Sequence, residues 1–213
     1  MVLKDKHIVI ALYIAVISSL ISCISDILLL YAPGQDYLKG DYLFFKSIST
    51  SNMMIGHYLG VIFIPLQVLA VPWLNKHLKI VSNKQKAIIA VVMLYSIIMG
   101  CVYHASCAMM GIGLSVKLPD NDIVSLYNNL YVPFALIFII GLGYISYYVA
   151  LVIYKEKTNF NKALALFVPI NIAILIYVID FLTYIDIGLF TVSSFNLSIL
   201  LFLICAIILK QRT

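Results

Sequence analysis

Apolar residues run along this chain in six long stretches, about 8–31, 52–74, 87–113, 128–154, 163–182 and 190–209. Each meets or approaches the roughly 20 mainly apolar residues that a helix needs to cross a bilayer. Breakers and charges separate them: "APGQDYLKGDYLFFKSISTS", "NKHLKIVSNKQK", "LSVKLPDND", "KEKTNFNK" and "TYIDIG". The pattern predicts an all-α, polytopic integral membrane protein of six transmembrane helices forming a single bundle over residues 1–213. The first stretch follows "MVLKDKH" and is too long for the apolar part of a signal peptide, with no A-x-A site behind it, so it reads as a retained first span. "STSN" (49–52) supplies capping residues for the second helix.

Composition leads to the same solvent. Of 213 residues, 63% are hydrophobic and 11% charged, with a mean hydropathy of +1.07, whereas a soluble domain carries about 25% charged residues. Such a chain cannot cover a water-facing surface, and the lipid bilayer is its expected partner. The formal charge of +5 is scattered in short clusters between apolar runs, which argues for topology and against nucleic acid. Lys4 and Lys6, then Lys76, Lys79, Lys84 and Lys86, then Lys155, Lys157 and Lys162, and finally Lys210 and Arg212 fall on one side; only Lys39, Lys46 and Lys117 fall on the other. The positive-inside rule then puts both termini in the cytoplasm, in a bacterial-type plasma (inner) membrane. Asp36, Asp41, Asp120, Asp122 and Asp186 fall in the outer loops. In the longest of these loops Tyr37, Tyr42, Phe44 and Phe45 are expected at headgroup depth. The cysteines Cys23, Cys101, Cys107 and Cys205 lie inside apolar runs without a C-x-x-C pair and read as small buried hydrophobes.

Four ionisable residues interrupt the spans: Asp26, His57, His104 and Asp180. At about 1.5 Å rise per residue, Asp26, His104 and Asp180 lie roughly 26–27 Å from the cytoplasmic ends of their helices, and His57 roughly 8 Å below the outer edge. All four therefore share one layer near the external face of a hydrocarbon core about 30 Å thick. Ser22 and Ser25 accompany Asp26, Ser106 flanks His104, and Ser193, Ser194 and Asn196 open the sixth span in the same layer. In "IGHYLG" (55–60) the glycines are four apart, and Gly100 is four from His104, a spacing of small groups that lets helices approach closely. The second and third spans are expected to pack near their histidines. Asn171, beside Pro169, marks an expected kink in the fifth span.

Intramembrane ionisable residues face a bundle interior or a wet cavity, and four readings of this layer stand. A structural polar cluster would pair His with Asp. A metal site, with zinc the suitable ion, would use His57, His104, Asp26 and Asp180 as ligands and activate water against a lipid-like or amphipathic substrate. A metal-free hydrolase would use Ser25 or Ser106 as nucleophile, a histidine as base and Asp26 or Asp180 to orient it. A small carrier would relay protons through the same groups.

At "GHYLGVIFIPLQVLA" and "GCVYHASCAMMG" the chain resembles an uncharacterised group of bacterial six-span proteins with a glycine-histidine motif in two successive helices. It is more faintly similar to the CREST membrane hydrolases, the alkaline ceramidases and their relatives. That resemblance implies a site combining intramembrane His, Asp and Ser, here Ser22 or Ser25, Asp26, His57, His104 and Asp180. The CREST proteins have seven spans and paired histidines on a late helix, and this chain has neither feature.

Overall fold

The computed structural model describes residues 5–33, 43–78, 82–115, 132–155, 158–182 and 188–210, together with 122, 124, 125, 128 and 129. Tyr37, Tyr42 and the acidic Asp36, Asp41, Asp120 and Asp186 lie outside the described residues. Among those described the chain is helical throughout, with no strands: α1 (Asp5–Leu30), α2 (Thr50–Phe63), α3 (Val71–His77), α4 (Asn83–Ser115), α5 (Val132–Tyr154), α6 (Pro169–Leu182), α7 (Gly188–Val192) and α8 (Ser194–Ile208). Four helical stretches are long and apolar enough to cross a membrane: Asp5–Leu30, Thr50–His77, Asn83–Leu114 and Val132–Tyr154. They mark a membrane protein. The last two apolar helices, α6 and α8, have 14 and 15 residues, or about 21–23 Å of length.

Prolines explain where the helices depart from single rods. Thr50–His77 contains Pro65 and Pro72, and between them Pro65–Ala70 tightens into a 3₁₀ segment joining α2 to α3. Proline has no N–H to offer the carbonyl one turn back. That carbonyl, on Val61, faces the thiol of Cys101 from α4 at 3.9 Å. Pro169 has a larger effect. Val168, before it, is extended (φ −63°, ψ 148°), and the preceding Lys162–Phe167 is a separate 3₁₀ segment capped by Asn161, whose Oδ1 accepts from Ala163 N at 2.9 Å. The expected kink at Pro169 is thus a complete break, and α6 begins at the proline, with Ser146 of α5 accepting from Ile170 N at 3.2 Å. Ser49 caps α2 as its sequence suggests, accepting from Asn52 N at 3.2 Å.

α1 packs along α2 and against α8 and the Pro65–Ala70 segment, while α4 lies against α5, and α6 against α8. The buried apolar residues form two main clusters. One gathers Leu12, Trp73, Phe160 and Phe202 with their neighbours at one end of the bundle. At this end Asp5 pairs with Lys76 Nζ at 2.7 Å, Asn159 N donates to His77 O at 3.2 Å, and Phe160 bridges to Lys210. His77 is buried here, with its ring against Trp73 and Phe160 at centroid distances of 4.8 and 5.8 Å.

The second cluster, Leu29, Ala32, Phe45, Ile48, Met53, Cys107 and Met110 among its members, closes the other end. Phe45, expected at headgroup depth, is instead 1% exposed and stacked on Phe44 with centroids 4.6 Å apart. A short 3₁₀ turn, Leu43–Ser47, folds it down onto the helix ends, where it fills a core site. Truncation there leaves a cavity, so Phe45→Ala is expected to lower stability by about 3 kcal/mol, read as loss of thermal stability in detergent, whereas Phe44→Ala costs much less.

Candidate functional site

Between the two apolar clusters lies a layer of polar side chains. On α1 the buried face carries Ser18, Ser19, Ser22, Ser25 and Asp26, small groups that allow close approach of a neighbouring helix. α2 makes that approach. A Cβ on Gly56 would lie 2.8 Å from both Leu29 N and Ser25 O of α1, so the two backbones touch. Four residues on, a Cβ on Gly60 would overlap the imidazole of His104, which enters from α4. The two glycines of "IGHYLG" therefore have separate tasks, one seating α1 and the other seating a ring from α4.

His104, 5% exposed, is held at both nitrogens. Nδ1 lies 3.0 Å from Asp26 Oδ1; Nε2 lies 3.2 Å from Ser25 Oγ and 3.3 Å from Gly56 O. Ser25 donates its hydroxyl proton to Gly56 O at 2.7 Å. An Nε2 lone pair would face the Gly56 carbonyl oxygen and compete with it for the one hydroxyl proton of Ser25. A proton on Nε2 satisfies all three contacts together. One further proton lies between Nδ1 and Asp26 Oδ1, and the pair carries no net charge whichever of the two holds it.

The other carboxylate oxygen, Oδ2, accepts from Asn196 Nδ2 of α8 at 2.6 Å, and Asn196 Oδ1 accepts from Gln67 Nε2 at 2.7 Å. A carboxylate only accepts, and this fixes both amides: Asn196 must turn its NH₂ to Asp26, and Gln67 must turn its NH₂ to Asn196. The chain Gln67–Asn196–Asp26–His104–Ser25 thus joins α1, α4, α8 and the 3₁₀ segment, and reaches α2 through Gly56. Beside it is a cavity of about 70 Å³ bounded by Asp26, Gln67, Tyr103, His104, Asn196 and apolar neighbours. A second cavity of about 50 Å³, lined mainly by apolar side chains with Ser96 and Ser146 among them, continues past Gln67 toward Ala70 and Phe202.

The structure brings together Ser25, Asp26 and His104 and leaves the other candidate residues apart. Asp180, half-buried, accepts from Thr191 Oγ1 at 2.7 Å. His57 is half-buried beside Tyr58, with ring centroids 5.4 Å apart, and its Nδ1 has no hydrogen-bond partner among the described residues. Ser22 is fully buried and its Oγ likewise lacks a partner among them, while Ser106 donates back to Tyr103 O at 2.6 Å within its own helix. The second and third spans do pack against each other, but it is Gly60, not His57, that meets His104. His57, His104, Asp26 and Asp180 therefore do not assemble into the expected zinc-ligand set. Among the described residues no group of three or more His, Cys, Asp or Glu is placed to hold a metal ion. The physical reason is helix phase: one residue on from Gly56 turns His57 about 100° away from the face that Gly56 and Gly60 present. Gln67 escapes a reading of the sequence because nothing in "IPLQVLA" marks it except the flanking prolines, and the 3₁₀ winding decides which way it points.

These features define a helical membrane protein with a buried, hydrogen-bonded Asp–His pair among its helices. The chain belongs to a family of unknown function, DUF6796, whose match spans residues 3–212. Comparison with curated proteins and with solved structures gave no match.

Removing one member of a buried pair leaves the other charge unmet, at a cost of about 3–5 kcal/mol. Asp26→Ala and His104→Ala are each expected to destabilise the folded protein on that scale in thermal or denaturant unfolding in detergent. Gly60→Ala is expected to be severely destabilising beside His104 and much milder in the His104→Ala background, a coupling of about 1–3 kcal/mol in the double-mutant cycle. Additive effects would show that the methyl and the ring do not share one space.

Proposed function

We propose that this is a non-enzymatic, six-span protein of a bacterial-type plasma membrane, with both termini cytoplasmic. In this reading the Asp26–His104 network is the polar wall of a small internal cavity, of about 70 Å³, that takes a small ligand. The passes proposed for the last two spans join α6 to the Lys162–Phe167 segment and α8 to α7. The gathering of Asp5, Lys76, His77, Asn159, Phe160 and Lys210 at one end of the bundle supports the even number of passes, since these belong to the four lysine-bearing segments of the chain.

One observation favours binding over catalysis: both nitrogens of His104 and both oxygens of Asp26 are committed to protein partners, while their flank borders a cavity. A general base needs a free lone pair within reach of a proton, and Nε2 here meets a carbonyl oxygen instead. The Ser25–His104–Asp26 distances do resemble those of a hydrolase triad, which is the competing reading. Against it, Ser25 is fully buried, donates to Gly56 O and does not border the cavity.

A fluorophosphonate probe separates the two. Purified protein is expected to remain unlabelled at Ser25 and to hydrolyse no long-chain ester above the rate of the Ser25→Ala variant. Labelling that maps to Ser25 and vanishes in Ser25→Ala would replace the binding reading with the hydrolase. For the topology, a fluorescent protein fused after Thr213 is expected to fold and fluoresce in the cytoplasm; an exported C-terminus would refute the six-span arrangement.

A further inference from the structure

Outside the polar layer, the corner where α5 ends and the chain turns back toward α6 has a character of its own. α5 is among the helices long and apolar enough to cross a membrane, so its last residue, Tyr154, stands at one membrane boundary. Lys155 follows at once, and Lys162 places its ammonium 5.9 Å from the centre of the Tyr154 ring. From there the chain re-enters the bundle. Ile170 N meets Ser146 Oγ at 3.2 Å, and Ser146 precedes Tyr154 by about 12 Å along α5. The Lys162–Phe167 segment therefore climbs from headgroup depth into the hydrocarbon layer. α8 ends at the same corner, where Asn161 N donates to Leu209 O at 3.0 Å and Phe160 bridges to Lys210.

Polarity divides along this climb. Lys155, Lys162 and Lys210 are exposed at its start, while Leu166 and Phe167, 71% and 42% exposed, stand at its end. Leu164 and Val168 form the inner side, packed in the core with Ile153 and Phe160. The outer side is thus basic at the boundary and apolar below it, complementary to a lipid with a negative head and hydrocarbon chains. Residues 155–162 and 210–212 together hold five cationic side chains against one carboxylate, that of Glu156. Asp5, the acidic residue described at this end, is taken up by Lys76. A phosphodiester would meet several ammonium donors here. Basic clusters at the ends of spans attract anionic head groups in this way. A zwitterionic head would carry its own ammonium into the same cluster, where like charges repel.

We infer that this corner is a binding site for an anionic phospholipid, its phosphate held among Lys155, Lys162 and Lys210 and its acyl chains lying on Leu166 and Phe167. The site is separate from the internal cavity beside Asp26 and His104, and it requires only that α5 crosses the bilayer.

Full-length protein in a neutral detergent is titrated with phosphatidylglycerol and with phosphatidylcholine of the same chains, and the lipid-bound states are counted by native mass spectrometry. The first phosphatidylglycerol is expected to bind at least about tenfold more tightly than the first phosphatidylcholine. Lys155→Gln/Lys162→Gln is expected to bring the two lipids within about twofold of each other and to leave phosphatidylcholine unchanged. If that variant folds poorly, Lys155→Gln/Lys210→Gln removes the same charge and keeps the contact of Lys162 with Tyr154. Lys6→Gln/Lys84→Gln takes an equal charge from the starts of α1 and α4 and should preserve the preference. Equal affinity of the wild type for the two lipids would overturn the site. An equal loss in Lys6→Gln/Lys84→Gln would assign the preference to the general field of the basic end, and would overturn it too. So would a preference that survives both corner variants.

Discussion

The whole arrangement depends on one buried contact, the Asp26–His104 pair. Two ionisable groups taken out of water into a membrane-spanning bundle lose several kcal/mol of solvation each, and their attraction compensates only when the remaining hydrogen-bonding capacity is also met. Here it is met from four directions. Gly56 O and Ser25 Oγ flank Nε2, and Asn196 turns its amide to the second carboxylate oxygen, braced in turn by Gln67. Each of these partners comes from a different part of the chain. α1, α2, the 3₁₀ segment, α4 and α8 must therefore be in place together for any one contact to be made. Within lipid, apolar surface gives helices little reason to associate, and packing with interhelical hydrogen bonds does most of the work. A network that spans five elements supplies the register that apolar faces leave open.

That demand explains local features which look unrelated along the chain. The imidazole fits only because residue 60 has no side chain, and the Ser25–Gly56 bond forms only because residue 56 has none. Pro65 breaks the regular winding of the second span just before the residue that completes the network. A continuous α-helix would carry Gln67 round by 100° per residue. The tighter winding over Pro65–Ala70 instead brings it to face Asn196. The thiol of Cys101 then stands near the carbonyl that the proline leaves behind. A polar residue inside, a proline beside it and a soft donor opposite form one local solution.

The apolar runs made the helices legible in the sequence, since an uninterrupted apolar run of about 20 residues suits a bilayer-crossing helix and little else. The shared depth of Asp26 and His104 was legible too, because rise per residue converts position into height. Angle around the helix was not. His57 and Gly56 are neighbours in sequence and nearly the same in depth, yet only Gly56 faces the pair, and Asp180 at the same height spends its carboxylate on Thr191. In a soluble helix the apolar stripe would reveal the inward face. Here the outward face is apolar as well, because it meets lipid, so no apolar stripe marks the inward face and the phase that separates a network member from a bystander is hidden. Phe45 illustrates the converse limit: an aromatic in a loop reads as an interface anchor until tertiary contacts bury it.

Hidden phase also bears on chemistry. A serine, a histidine and an aspartate at one depth invite a catalytic reading, and the spacings found for Ser25, His104 and Asp26 do not by themselves oppose it. The proton inventory does. Three acceptors, namely Gly56 O, Asp26 Oδ1 and Ser25 Oγ, surround an imidazole with two N–H positions, and one serine proton serves the carbonyl. Every proton in this arrangement is engaged in holding helices together, and none is positioned to leave. A hydrolase would need the reverse, a hydroxyl open to substrate and a ring nitrogen with its lone pair toward it.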